Sequence, residues 1–118
     1  MSVDDGVHVG VHMLITLKNI PESVKLERVH TVKPLMQKII NACDLHVVAE
    51  AGHQFEPFGA TYVYVLEESH FSIHTYPEKY AAYMDIFCCN LAFDCDKAIA
   101  SIKEAFNTNT VDCKVMYR

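Results

Sequence analysis

Residues 67–89 read EESHFSIHTYPEKYAAYMDIFCC, and this stretch carries the clearest sign of how the chain folds. Apolar and polar side chains alternate along residues 70–76, a pattern typical of a β-strand that buries one face. After a break at Pro77, residues 82–89 indicate a second strand. Opposite the face formed by Phe71, Ile73 and Thr75, the first strand carries His70, Ser72, His74 and Tyr76. We therefore expect polar chemistry on one face of a sheet.

The flanking segments complete the predicted fold. Further strands are indicated at residues 9–17, 45–51, 61–67 and 110–117, and amphipathic helices at residues 31–43 and 96–106. Pro34 fits the first helix only near its start, because deeper inside it would remove a hydrogen bond. Pro57 and Gly59 mark a turn that should join the second and third strands as a hairpin. This order predicts an α+β fold, a two-layer α/β sandwich in which two helices cover one face of an antiparallel sheet.

Length and composition indicate a single domain over residues 1–118. The chain is 51% hydrophobic and 21% charged, as is usual for a compact globular protein. A domain of this size buries only a moderate share of its surface, and the second face of the sheet needs a cover. A second copy that covers this face would add stability, which favours dimerisation.

Charge and cysteine content exclude several classes of function. The formal net charge is -5 and the ten basic residues are scattered, so we expect no nucleic-acid partner. No apolar run is long enough for a membrane span and no secretion signal opens the chain, which predicts a cytoplasmic protein without membrane contact. Five cysteines without C-x-x-C spacing favour free thiols and argue against a disulfide framework or a metal site.

Ser69 and His74 are the first candidates for chemistry. Ser69 follows the carboxylates of Glu67 and Glu68, and His74 lies five residues further on. A serine with a histidine also occurs in hydrolases, but the sequence has no G-x-S-x-G motif and no evident third member of a triad. The alternative is that these polar residues form only the solvent-exposed face of a strand.

A longer string of motifs resembles one known family. It consists of ESHFSIHTYPE at residues 68–78, DIFCC at residues 85–89, GVH at residues 10–12 and FEPFG at residues 55–59. Together these motifs are similar to the bacterial and archaeal class of S-adenosylmethionine decarboxylase proenzymes, which depend on a pyruvoyl group, and the resemblance covers most of the chain. It implies a lyase that decarboxylates S-adenosylmethionine for the biosynthesis of spermidine and other polyamines.

The resemblance also implies that the chain cuts itself between Glu68 and Ser69. The products would be a β chain, residues 1–68, and an α chain, residues 69–118, and the processed protomers would assemble as a homodimer. Ser69 would become the covalent pyruvoyl cofactor, a ketone that forms a Schiff base with the substrate amine and acts as an electron sink. In this resemblance His74 matches the base of the processing reaction, and Thr61 matches its assisting hydroxyl.

Further roles are implied for decarboxylation and substrate binding. Cys89 matches the residue that returns a proton to the substrate carbon. Cys88 is its rival by position, but adjacent strand residues point to opposite faces, so only one can face the site. Phe55 matches a stacking surface for adenine, Glu78 an acceptor for the ribose hydroxyls, and Tyr76 a position that is usually tryptophan.

Departures from the family pattern lie near these substrate-binding positions. Glu56 stands where the family commonly has an apolar residue, and Lys79 with Tyr80 replaces an aromatic and glycine pair. An added carboxylate could meet the sulfonium of S-adenosylmethionine or the distal cation of ornithine or arginine. A pyruvoyl-dependent ornithine or arginine decarboxylase is therefore an alternative. A non-catalytic partner subunit is another, although a chain without activity would have no need of the serine, histidine and cysteine together.

Overall fold

The computed structural model describes residues 6–118, and these form one six-stranded sheet, two helices and a short 3-10 turn at Pro77–Lys79. In chain order the elements are β1 (Val11–Leu17), α1 (Val29–Ala42), β2 (Val47–Gln54), β3 (Ala60–Leu66), β4 (Ser69–Tyr76), β5 (Ala81–Cys88), α2 (Cys95–Phe106) and β6 (Val111–Tyr117). The strands lie in the order β2-β3-β4-β5-β1-β6, and all neighbours are antiparallel. The predicted α+β sandwich and the β2–β3 hairpin are confirmed.

Both helices pack on one face of the sheet and form a single hydrophobic core with it. The alternation in β4 decides which side chains enter this core, since Phe71, Ile73 and Thr75 are buried. The helices contribute Val32, Met36, Ile39 and Ile40 from α1, and Ala98, Ile102, Ala105 and Phe106 from α2. Burial of this apolar surface is the main force that holds the two layers together.

Helix α1 begins at Val29, two residues before the predicted start. Pro34 is therefore its sixth residue, deeper in the helix than predicted, and its missing N–H leaves one bond of the helix unmade. The N-terminus lacks a side-chain cap from Arg28, but the Gln54 side chain accepts a hydrogen bond from the Val29 N–H at 2.8 Å. A residue of β2 thus satisfies a free donor at the helix start.

The other face of the sheet is not covered by any part of residues 6–118. It exposes apolar side chains, among them Leu14, Val65 and Tyr83, which are each more than 40% accessible. His74 and the other polar side chains of β4 lie on this open face, as predicted. Neither helix in the described part of the chain has the length and hydropathy needed to cross a membrane.

Candidate active site

The bond between Glu68 and Ser69 lies where the tight β3–β4 turn enters β4. Ser69 has a φ of 150°, a backbone conformation that residues with a side chain rarely adopt. Its hydroxyl lies 2.9 Å from the Cys89 thiol, and the Cys89 N–H donates to the Glu68 carbonyl at 2.7 Å. A nucleophile, a polarised carbonyl and a thiol therefore meet at one end of β4.

The two adjacent cysteines have different surroundings. Cys88 is 1% exposed on the helix-covered face, where burial raises the pKa of its thiol. Cys89 follows the end of β5, is exposed and contacts Ser69. The structure therefore places Cys89, and not Cys88, beside the serine.

The Glu68 side chain is held by His46, which precedes β2. The His46 imidazole donates from Nδ1 to one carboxylate oxygen at 2.6 Å, and the His46 N–H donates to the other at 3.0 Å. Burial acts to raise the pKa of Glu68, but the hydrogen bonds from His46 outweigh it, so the pKa lies below its usual value. No motif or local pattern in the sequence indicates this role for His46.

A second group of predicted residues gathers at the opposite end of β4. His74 Nδ1 and Thr61 Oγ1 lie 2.6 Å apart, and either can donate, depending on the imidazole tautomer. The ring centroids of Phe55 and Tyr76 lie 5.5 Å and 5.0 Å from that of His74. A cavity of about 250 Å³ opens here, lined by Phe55, Phe58, Gly59, His74, Thr75, Tyr76 and Glu78. This end can accept a flat aromatic ligand beside a carboxylate.

The turn that carries Phe55 is fixed by Gln54. The Gln54 amide nitrogen donates to the carbonyls of Glu27, Phe55 and Gly59 at 2.9 to 3.0 Å, while its oxygen caps α1. One side chain therefore joins the cavity wall to the start of the first helix.

The structure does not bring the two groups together within one chain. Ser69 begins β4 and His74 lies near its other end, and five residues at about 3.4 Å each place their Cα atoms about 17 Å apart. Thr61 pairs with His74 and so lies at the far end as well. Neither group is a complete site for self-cleavage by itself.

Asp85 lies on the open face between the two ends and is the centre of a polar network. Its carboxylate accepts from Ser72, from His12 Nε2 at 2.8 Å and from His70 Nε2 at 2.7 Å. Arg118 approaches His12 Nδ1 at 3.3 Å and can only donate, which leaves Nε2 as the protonated nitrogen of a neutral His12. The cluster is thus a satisfied hydrogen-bond network, and no local sequence pattern indicates it.

The sequence profile described as S-adenosylmethionine decarboxylase matches residues 11–118. The chain belongs to the S-adenosylmethionine decarboxylase family. This match confirms the predicted resemblance, and every predicted site residue lies within the matched range. Ornithine or arginine decarboxylation receives no support from the comparison.

Individual members of the S-adenosylmethionine decarboxylase family are similar over nearly the whole chain. The S-adenosylmethionine decarboxylase proenzyme of Clostridium botulinum, Langeland strain, is 34% identical over 109 residues, which cover 92% of this chain and 93% of that protein. The proenzyme of Persephonella marina is 36% identical over 109 residues, which cover 92% and 81%. The crystal structure of the adenosylmethionine decarboxylase from Aquifex aeolicus VF5 superimposes with a TM-score of 0.83 at 31% identity, over 94% of this chain and 91% of that one.

Proposed function

We propose that this chain cuts itself between Glu68 and Ser69 and then decarboxylates S-adenosylmethionine. The observation that carries the proposal is the arrangement at Ser69. A serine in a rarely adopted backbone conformation contacts a thiol, and the carbonyl before it is already bound by a backbone N–H. This arrangement suits an internal attack on a peptide bond, because a strained residue is held beside a polarised carbonyl.

Self-cleavage begins with the Ser69 hydroxyl. Its oxygen attacks the Glu68 carbonyl carbon, the C–N bond breaks, and an ester replaces the amide while the Ser69 amine becomes free. The Cys89 N–H, at 2.7 Å from the carbonyl oxygen, stabilises the negative charge that develops there. A base then removes the α-proton of Ser69, the Glu68 carboxylate leaves, and hydrolysis of the resulting dehydroalanine releases ammonia and leaves a pyruvoyl group.

His74 and Thr61 are the proposed assisting groups. If His74 Nδ1–H donates to Thr61, the imidazole keeps Nε2 free to accept the α-proton. In the same tautomer the Thr61 hydroxyl proton remains free to bind the oxygen that gains negative charge. The short contact between His74 and Thr61 therefore favours the roles that the motifs imply, with His74 as the base and Thr61 as the hydrogen-bond donor.

The pyruvoyl group supplies an electron sink for the charge left on the substrate carbon when carbon dioxide leaves. The residues near Ser69 fit such a group, since Cys89 Sγ lies 2.9 Å from the serine oxygen and is exposed to the same space. A thiol in that position can return the proton to the carbon. At the other end of β4, Phe55, Tyr76 and Glu78 line a cavity suited to an adenine ring and ribose hydroxyls.

We further propose that a homodimer completes each site. Ser69 and His74 are separated by about 17 Å within one chain, which is too far for proton transfer. A second copy could pack on the open face with its β4 running antiparallel to β4 of the first copy. The end of β4 that carries His74 in the second copy would then lie over the end that carries Ser69 in the first. The exposed apolar side chains of that face supply the surface for such an interface.

The first experiment is the mass of the purified protein under denaturing conditions. We expect two fragments, residues 1–68 and residues 69–118. The mass of the second fragment should be lower, by the mass of one ammonia molecule, than that of the same peptide with an N-terminal serine. The processed protein should release carbon dioxide from S-adenosylmethionine. Ser69→Ala is the control and should remain uncut and inactive. A wild-type chain that stays uncut after long incubation would contradict the proposal. Release from ornithine or arginine instead would contradict the substrate.

Coexpression of two inactive variants tests the shared site. Ser69→Ala and His74→Ala chains should each remain uncut alone. In mixed dimers the serine of the His74→Ala chain meets the histidine of its partner, so about half of the His74→Ala chains should be cut. A mixture that stays uncut, although mixed dimers form, would show that one chain must supply both residues.

A further inference from the structure

His46 binds the turn that contains the proposed cleavage site, and none of the roles described so far belongs to it. We infer that His46 is a positioning residue for self-cleavage: its imidazole and its backbone N–H hold the Glu68 carboxylate and thereby fix the carbonyl that Ser69 attacks. The inference rests on the proposed self-cleavage and names a further residue for that reaction.

His46 makes three hydrogen bonds to this two-residue turn. The imidazole and the backbone N–H bind both oxygens of Glu68, and the His46 carbonyl accepts from the Glu67 N–H at 2.8 Å. The Cys89 N–H holds the Glu68 carbonyl from the other side. The scissile bond is therefore held between the start of β2 and the end of β5.

This restraint matters because serine and the carbonyl before it are adjacent in the chain. Rotation about the Glu68 backbone decides whether the carbonyl carbon faces the Ser69 oxygen, and a turn residue with a free side chain would sample many rotations. A side chain bound at both oxygens removes most of this freedom before the reaction starts. Such pre-ordering of reacting groups is a large source of rate.

The charge of His46 adds an electrostatic component. Its imidazole faces three carboxylates, those of Glu68, Asp44 and Glu67, of which Asp44 lies 4.0 Å away. The hydrogen bond to Glu68 and the charges of these groups raise the pKa of His46 above its usual value. The protonated ring neutralises Glu68 next to the carbonyl oxygen that must become negative, and this help is lost as the pH rises through the raised pKa.

The test is a time course of cleavage for full-length chains made by cell-free translation. His46→Ala should cut about tenfold more slowly than wild type, because the charge-assisted hydrogen bond is gone. His46→Gln keeps a donor without the charge and should recover most of the rate. The wild-type rate should fall as the pH rises through the raised pKa of His46, and neither variant should show this fall. His30→Ala, an exposed histidine on α1, is the matched control and should behave as wild type.

Equal rates and equal pH profiles for wild type and His46→Ala would overturn the inference. So would a slow His46→Ala that keeps the alkaline fall and is not recovered by glutamine, because that pattern belongs to general damage of the turn. Failure of the wild type itself to cut would overturn the proposed function and this inference with it. If the wild type cuts normally and His46→Ala cuts at the same rate, the role of His46 is overturned while the proposed self-cleavage stands.

Discussion

Cys88 and Cys89 provide a matched pair at the residue scale, since they are chemically identical neighbours on opposite faces. Cys89→Ala removes the thiol beside Ser69 but keeps the backbone N–H that binds the Glu68 carbonyl. We expect it to process and then to lose about 100-fold or more in kcat for carbon dioxide release, as for loss of a general acid. Cys88→Ala should retain its activity and lose only about 1 kcal/mol of stability from the core. Equal loss of activity in both variants would contradict the assignment.

Asp85 should make stability depend on acid pH. Burial acts to raise its pKa, but the hydrogen bonds from Ser72, His12 and His70 outweigh it and leave the pKa below its usual value. A lowered folded pKa contributes stability above the unfolded value of about 3.9, and this stability is lost as the pH falls through the folded pKa. Asp85→Asn should therefore lower Tm at pH 7 and flatten its decline in acid.

Thermal unfolding from pH 7 to pH 3 measures this effect. Asp112→Asn is the control, because Asp112 is exposed on β6 and outside the network. It should follow the wild-type curve. A variant at Asp85 whose Tm declines in acid as steeply as that of wild type would show that other carboxylates cause the decline.

Sequence could predict only part of the site at this scale. The resemblance pointed to Cys89, and alternation added that only one of Cys88 and Cys89 could face the site, because neighbouring strand residues point to opposite faces. The bonds of His46 to Glu68 and of His12 to Asp85 join residues 22 and 73 positions apart. No local pattern records such pairs, since they exist only after the strands have paired.

At the element scale, Gln54 connects the end of β2, the start of α1 and the turn that carries Phe55. Gln54→Ala removes these hydrogen bonds and leaves buried or partly buried partners unsatisfied, so we expect a loss of about 1–3 kcal/mol in the free energy of unfolding. The loosened turn should also raise KM for S-adenosylmethionine by about threefold or more, since Phe55 lines the cavity.

Denaturant unfolding and steady-state kinetics together measure these two effects. Gln37→Ala is the matched control, because Gln37 makes one exposed hydrogen bond on α1. Its stability should change by less than about 0.5 kcal/mol. If Gln54→Ala is destabilised but its KM is unchanged, the turn that Gln54 holds does not affect substrate binding.

The types of all eight helices and strands within residues 6–118 were predictable, whereas several of their ends were not. Strand β2 runs to Gln54, three residues beyond the predicted end, through a glycine and polar residues that do not favour strands by themselves. Pairing with β3 extends it, and Gly52 is needed there because a Cβ would lie 2.1 Å from the Tyr62 ring. Packing between strands overrides local preference at this end.

At the scale of the whole molecule, the open sheet face should decide the oligomeric state. Val65 and Val115 are 45% and 40% exposed, but they lie on opposite faces of the sheet. Val65→Lys should convert a dimer to a monomer and slow cleavage, because a charge would be buried in the proposed interface. Val115→Lys should remain dimeric and cut normally. Light scattering coupled to size exclusion measures the mass of each, and a monomeric wild type would contradict the proposed interface.

The strand order β2-β3-β4-β5-β1-β6 has a consequence for the life of the protein after the proposed cut. Strands β2, β3 and β1 belong to residues 1–68, and β4, β5 and β6 belong to residues 69–118. Strands of the two pieces therefore pair at three places in the sheet, β3 with β4, β5 with β1, and β1 with β6. The cut molecule would stay together without a covalent link. Once dispersed by denaturant, however, its halves must find each other by diffusion, and recovery becomes a second-order process that slows on dilution. In the uncut precursor both halves belong to one covalent chain, so the sheet has to form before the chain is cut.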